Sequence, residues 1–342
     1  MYKVKDLGRK KNVHYRQLVF KEKWAGNPVS VALLELVGKC DGPTMLWVAV
    51  QHGMELNGSV VIQRLLAEID RKKLSGRILA VPMANPAAFV QGSWHIPPEK
   101  TAWQMQMHWP LPRPKERIPE DTNMNRYWPG RADGNITEQI VDAINREAAS
   151  HADFAVDLHS HFYWNTEVAI LHVSSPEAVR FGRALGCRVN HRSDYDARIL
   201  TRYLCGRGVP AVSVELVPTH IINQTSVAEG VRMLTNGLKH AGMLPGRRQA
   251  PRETYEFTYD QEKPLAAKTE GLLSFLHASA DVVRKGGVLG EIFDPWSAKR
   301  LEEVRAPYDC LVSRAASNSY IKAGWPVCKI VDLKKSHWTD RS

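Results

Sequence analysis

Cysteine is scarce and poorly spaced for cross-linking. The five residues Cys40, Cys187, Cys205, Cys310 and Cys328 make an odd number with no Cys-x-x-Cys pair. That pattern argues against a disulfide framework or a thiolate zinc knuckle and favours a reducing compartment. No apolar run is long enough to cross a bilayer, and the opening Met1-Tyr2-Lys3-Val4-Lys5-Asp6 has no apolar h-region. The expected location is therefore the cytoplasm, with no membrane partner. Internal repeats and low-complexity tracts are absent too. Long basic runs are also missing: Lys plus Arg number 46 against 36 Asp plus Glu, but pairs such as Arg247-Arg248 and Lys334-Lys335 are scattered. The charge reads as solvated surface, with no nucleic-acid partner, and its sign suits an anionic small-molecule substrate. Self-association is left open.

What is present is an ordinary globular composition, 44% hydrophobic and 24% charged over 342 residues. This is enough chain for one large domain and a smaller one. Thr44–Val50 reads as a buried strand closed by Gln51-His52-Gly53. Residues 56–73 follow, with Val60, Val61, Leu65, Leu66 and Ile69 at helical spacing. Further strands are expected at 77–82, 153–159, 167–173 and 210–217, with helices at 136–149 and 176–185. Ser226 and Glu229 are expected to form a capping box opening a helix that ends near Gly242. The alternation predicts an α/β domain over 1–245 with a mostly parallel or mixed central sheet flanked by helices. A Pro/Gly-bearing linker, 245–255, leads to short β-like runs at Gly271–Phe275, Gly287–Ile292, Cys310–Ser313 and Val327–Val331. These predict a β-rich domain over 256–342. Residues 90–116 have no period but hold Trp94, His95, Trp103, Met105, Met107, His108 and Trp109, as expected of a loop walling a site.

Four fragments carry chemistry. His52 and Glu55 stand three apart where a strand gives way to a helix, and His159 closes the strand 154–158. Two imidazoles and a carboxylate are the ligand set of a catalytic zinc that keeps one position open. Alternation puts Asp157 on the face of His159, where it can orient the imidazole. His161 shares that face and competes for the ligand role. Arg126, in Asn125-Arg126-Tyr127-Trp128-Pro129-Gly130, suits a substrate carboxylate through two parallel hydrogen bonds, and Arg117 can reach the same region. Glu215 interrupts the apolar run Ala211–Val217, where an ionised carboxylate is costly unless paired or functional, and so it is a candidate general base.

These motifs resemble the succinylglutamate desuccinylase and aspartoacylase family, whose catalytic domain is similar to that of zinc carboxypeptidases. The resemblance runs over roughly 44–240, and the tail from 256 looks like the family's C-terminal domain. It implies His52, Glu55 and His159 as ligands of one Zn2+, matching His-Gly-x-Glu and Asp-Leu-His. It also implies Asn125 and Arg126 as substrate-binding, Glu215 as the base, and Arg117 as the arginine that polarises the scissile carbonyl. The chain departs from the family at its first motif, which reads Gln51-His52-Gly53-Met54-Glu55 in place of Gly-x-His-Gly-Asn/Asp-Glu, and in the long 90–116 segment. The expected activity is a zinc-dependent removal of an acyl group from a small N-acyl amino acid. Other readings are a carboxypeptidase on short peptides or peptidoglycan fragments, an esterase, and a non-catalytic metal-binding module. The retained Glu215 argues against the last.

Overall fold

A computed structural model describes residues 2–24, 27–90, 123–161, 166–194, 198–219, 221–315 and 320–338. Strands β1 (Tyr2–Lys10), β2 (Val13–Trp24) and β3 (Asn27–Val37) form an antiparallel meander. The α/β part follows in the order β4 (Cys40–Ala49), α1 (Asn57–Glu68), β5 (Ser75–Val81), α2 (Pro86–Val90), α3 (Ile136–Glu147), β6 (Phe154–His159), β7 (Val168–Leu171), α4 (Pro176–Leu185), β8 (Val189–Arg192), α5 (Leu200–Cys205), β9 (Ala211–Glu215), α6 (Gln224–His240) and β10 (Thr254–Thr258). All ten strands lie in one sheet in the order β1-β2-β3-β5-β4-β6-β9-β7-β8-β10, with His337–Trp338 at the far edge. At its centre β5, β4, β6 and β9 run parallel, and β7 returns antiparallel to β9.

The central strands are apolar on both faces because both faces are covered. Met45, Trp47 and Ala49 of β4, with Val156, Leu158, Val212 and Val214, pack under α1, α4 and α6 through Val61, Ile62, Leu65, Phe181, Val227 and Leu234. Leu46, Val48, Ala155 and Ala211 face the other way, under Ile140, Val141 and Ile144 of α3 and Leu200 and Leu204 of α5. Each of the larger side chains among them contributes roughly 1.5–3 kcal/mol by leaving water, so the two-sided core fixes the carboxyl ends of β4, β6 and β9 relative to one another.

The last helix begins earlier than expected. Asn223 is its cap, with Oδ1 accepting from Ser226 N at 3.0 Å. Ser226 sits inside the first turn and donates to Glu167 at 2.7 Å, and Glu229 pairs with Arg232 at 2.7 Å. Asn caps a helix as well as Ser does, and it stands three residues upstream.

Beyond residue 258 the chain forms two four-stranded antiparallel sheets. One holds Lys263–Ala266, Pro326–Asp332, Cys310–Ala315 and Val282–Val283; the other holds Arg300–Arg305, Val288–Phe293, Gly271–Phe275 and Tyr320–Ile321. Ala280, Leu311 and Val331 pack on Val168, Ile170, Val189 and Phe257 of the main sheet. None of the described helices is long and apolar enough to cross a membrane.

Candidate active site

Strand β4 ends in a contortion. Val50 is fully buried and non-glycine, yet its φ is 58°. A β-branched side chain in this left-handed region is a genuine outlier. The turn breaks the strand alternation, so that Ala49 and Val50 both enter the core under α1 and Gln51 and His52 swing toward the strand ends. Asn85 N and Ala84 N, just past β5, donate to Val50 O and Ala49 O at 2.9 Å each and brace the turn. Gly53 completes it: a Cβ there would fall 2.1 Å from Ala88 backbone atoms of α2, so no other residue fits this close approach. Strain of this kind costs about 1–3 kcal/mol, while burial of the valine offsets a similar amount. Val50→Gly should therefore be more stable than Val48→Gly, at an equally buried site with ordinary backbone, by roughly 1–3 kcal/mol. Denaturant unfolding of the two variants checks this; equal losses would show that Val50 is unstrained.

Three ligand-type side chains converge. His52, Glu55 and His159, all buried, place ligand atoms within 4.8 Å of one another, and among the described residues they form the cluster able to hold a metal ion. His52 Nδ1 lies 2.9 Å from Glu55 Oε1, and His159 Nδ1 lies 2.8 Å from Glu55 Oε2. The other ring nitrogens are held from behind. His52 Nε2 is 3.0 Å from Asn123 Oδ1, and His159 Nε2 is 2.9 Å from Asp157 Oδ2. Every ring nitrogen thus faces an acceptor: a proton on Nε2 answers the outer partner and leaves Nδ1 able to ligate, whereas a proton on Nδ1 answers Glu55. Two imidazole nitrogens and two carboxylate oxygens face one another at hydrogen-bond distance. Protons or a metal ion can hold such a set together, and the donor types fit a divalent metal with His/Glu preference.

The electrostatics of the protein alone report the same demand. Burial pushes Glu55 upward, but the His52 and His159 imidazoles outweigh it and hold the carboxyl well below its usual range. Burial works to lower His159, yet Asp157 and Glu55 raise it well above an ordinary imidazole. Positive charge is thus favoured where a metal would sit.

Glu215 lies on the strand beside His159, the two being direct partners across β6 and β9. The residue is half-buried, but its Oε2 is out of solvent and has no hydrogen-bond partner among the described residues. Burial, opposed by His159 and reinforced by Glu55 and Asp157, pushes its carboxyl up to about 8. A carboxyl that exchanges its proton near neutrality therefore adjoins the cluster.

The Asn-Arg fragment is pinned to the same place. Asn123 Oδ1 accepts from Asn125 N at 3.0 Å as well as from His52, which shapes the turn Met124–Arg126. Asn125 Oδ1 is buried without a partner among the described residues. Arg126 is exposed, with Nη1 donating to Asn125 O at 3.2 Å. His161 is half-buried two residues past His159 and does not belong to the converging group. Arg117 and residues 91–116 lie outside the described residues. Sequence reasoning missed Asn123, Gln51 and Trp128. Gln51 and Trp128 stand inside fragments already singled out and Asn123 lies two residues before one, but nothing in the sequence marks the contact between Trp128 and Gln51.

A sheet with helices on both faces, carrying at its strand ends a His/Glu/His cluster that could hold a metal ion, defines an α/β protein with a candidate metal site. Residues 41–241 match the succinylglutamate desuccinylase/aspartoacylase catalytic domain, and the chain belongs to that family of deacylases. Over 315 residues it is 26% identical to the N-alpha-acetyl-L-2,4-diaminobutyric acid deacetylase of Halomonas elongata, spanning 88% of this chain and 85% of that protein. Its fold is similar to the product-bound ectoine utilization protein of Ruegeria pomeroyi, with 24% identity and a TM-score of 0.72 over 96% of this chain and 98% of that one. A succinylglutamate desuccinylase from a Silicibacter species has 22% identity and a TM-score of 0.73, with the same coverage.

Proposed function

We propose that this chain is a zinc-dependent amidohydrolase that removes an acyl group from a small N-acyl amino acid. The observation that carries this reading is the convergence of His52 Nδ1, His159 Nδ1 and both Glu55 oxygens, each imidazole braced through its Nε2. His52, Glu55 and His159 would hold one Zn2+. Bound there, zinc supplies a Lewis acid that polarises a carbonyl and lowers the pKa of water from 15.7 to about 7.

The protein does the rest. Glu215 takes the proton of the attacking water and returns it to the leaving amine, a role suited to a carboxyl whose ionisation burial has delayed. Asn125 offers its amide to the substrate, and Arg126 grips a substrate carboxylate. Arg117 is assigned to the carbonyl oxygen, where a fixed cation stabilises developing negative charge. The catalytic unit is taken as residues 1–245 and the β-rich unit as 256–342. The Halomonas relative favours an acetyl group on a small diamino acid as the first substrate to try.

Metal analysis combined with a panel of N-acetyl, N-succinyl and N-formyl amino acids, short peptides and esters tests the reading. One zinc per chain and preferred cleavage of an N-acyl amino acid are expected; preferred release of a C-terminal residue from peptides would move the assignment to a carboxypeptidase. Within the same panel, Arg126→Lys should lose at least about tenfold in kcat/KM with zinc still bound, because an ammonium cannot reproduce the planar two-point grip. A lysine variant that matches wild type on carboxylate substrates would remove Arg126 from the site.

A further inference from the structure

Gln51 occupies the unspecified position of the family's Gly-x-His motif, directly before the first histidine, and it ties that turn to three other segments through Asn85, Trp128 and Asp157. It is fully buried. Its Oε1 accepts from Trp128 Nε1 at 2.8 Å, its Nε2 donates to Asp157 Oδ2 at 2.6 Å, and its backbone oxygen accepts from Asn85 Nδ2 at 3.0 Å. The amide orientation is settled by chemistry: an indole nitrogen only donates, so the atom facing Trp128 must be the oxygen, and the NH2 is turned toward Asp157.

Asp157 is fully buried as well, and its Oδ2 receives both Gln51 and the Nε2 of His159. Its Oδ1 has no partner among the described residues. The orientation of this carboxylate therefore depends on two donors at one oxygen. One of them is the imidazole it is meant to aim, so the other must provide the fixed reference. We propose that Gln51 is a positioning residue for the metal site: clamped by Trp128, its amide locks Asp157 in the orientation that aims His159 Nδ1 at the shared ion. The inference rests on the zinc reading above and extends it outward through two more residues, along the chain Trp128–Gln51–Asp157–His159. Groups that support a ligand from behind typically matter by 10–100-fold in metal affinity.

The experiment is a chelator-competition measurement of zinc Kd on the full chain. Gln51→Met keeps volume and removes the donor; a rise in Kd of about 10–100-fold is expected. Trp128→Phe leaves Gln51 in place but frees its amide, and should weaken zinc in the same direction by less. The double variant should be no weaker than Gln51→Met alone, because both act through one chain. Leu65→Ala, in the core beneath α1, should lower Tm without moving Kd, which separates positioning from general destabilisation. If wild type binds one zinc and Gln51→Met binds it within about threefold as tightly, the inference fails and the zinc reading stands. If wild type binds no zinc, both fail. Should Gln51→Met not fold, an unchanged Kd for Trp128→Phe overturns the inference.

Discussion

Replacing Glu215 by Gln should cut turnover at least about a hundredfold while leaving fold and zinc content intact, the usual scale for loss of a general base. The amide keeps the carboxylate's shape and removes only its capacity to carry a proton. A second readout needs no substrate. In the metal-free protein Glu215 is raised from an ordinary 4.5 to about 8. As pH rises through that window the unfolded chain releases its proton while the folded protein retains it. The folded state then binds more protons than the unfolded one, so stability falls with rising pH across this window. The Gln variant escapes that loss, and its Tm advantage over metal-free wild type should grow from pH 4.5 to 8. Turnover near the wild-type rate would make Glu215 a structural residue.

His159→Ala should lose most of the metal. On the zinc reading the change deletes one of two imidazole ligands, and it leaves Glu55 and Asp157, both buried, without the imidazole that each faces. Uncompensated buried charge adds to the lost coordination, so expression and Tm should suffer too. His161→Ala removes a residue outside the converging group and should keep full occupancy. Equal zinc contents for the two variants would contradict the ligand assignment.

The elements around the candidate site were legible in the sequence because chemistry and burial both leave a mark there. Helix α4 was readable residue for residue from Pro at its first position and Gly186 after its last, each with a physical role at a helix end. The convergence of His52, Glu55 and His159 was readable because strand ends in α/β sheets are where ligands gather. Other features leave no such mark. The antiparallel β1–β3 meander shows alternation at Val29, Val31 and Leu33, but it holds no chemical motif and stood outside the sequence expectations. Asn223 was passed over as a cap because Ser226-x-x-Glu229 imitates a capping box three residues later. The strain at Val50 is invisible to composition, since valine is an unremarkable strand residue until its φ is known. Trp128 reaches Gln51 across 77 positions, and no local pattern encodes that contact.

The most direct test of the account is anomalous diffraction at the zinc absorption edge from crystals of the purified protein. One peak is predicted, within bonding distance of His52 Nδ1, His159 Nδ1 and Glu55. No peak there, or a peak held by other residues with this cluster occupied only by protons, would contradict the assignment of the site.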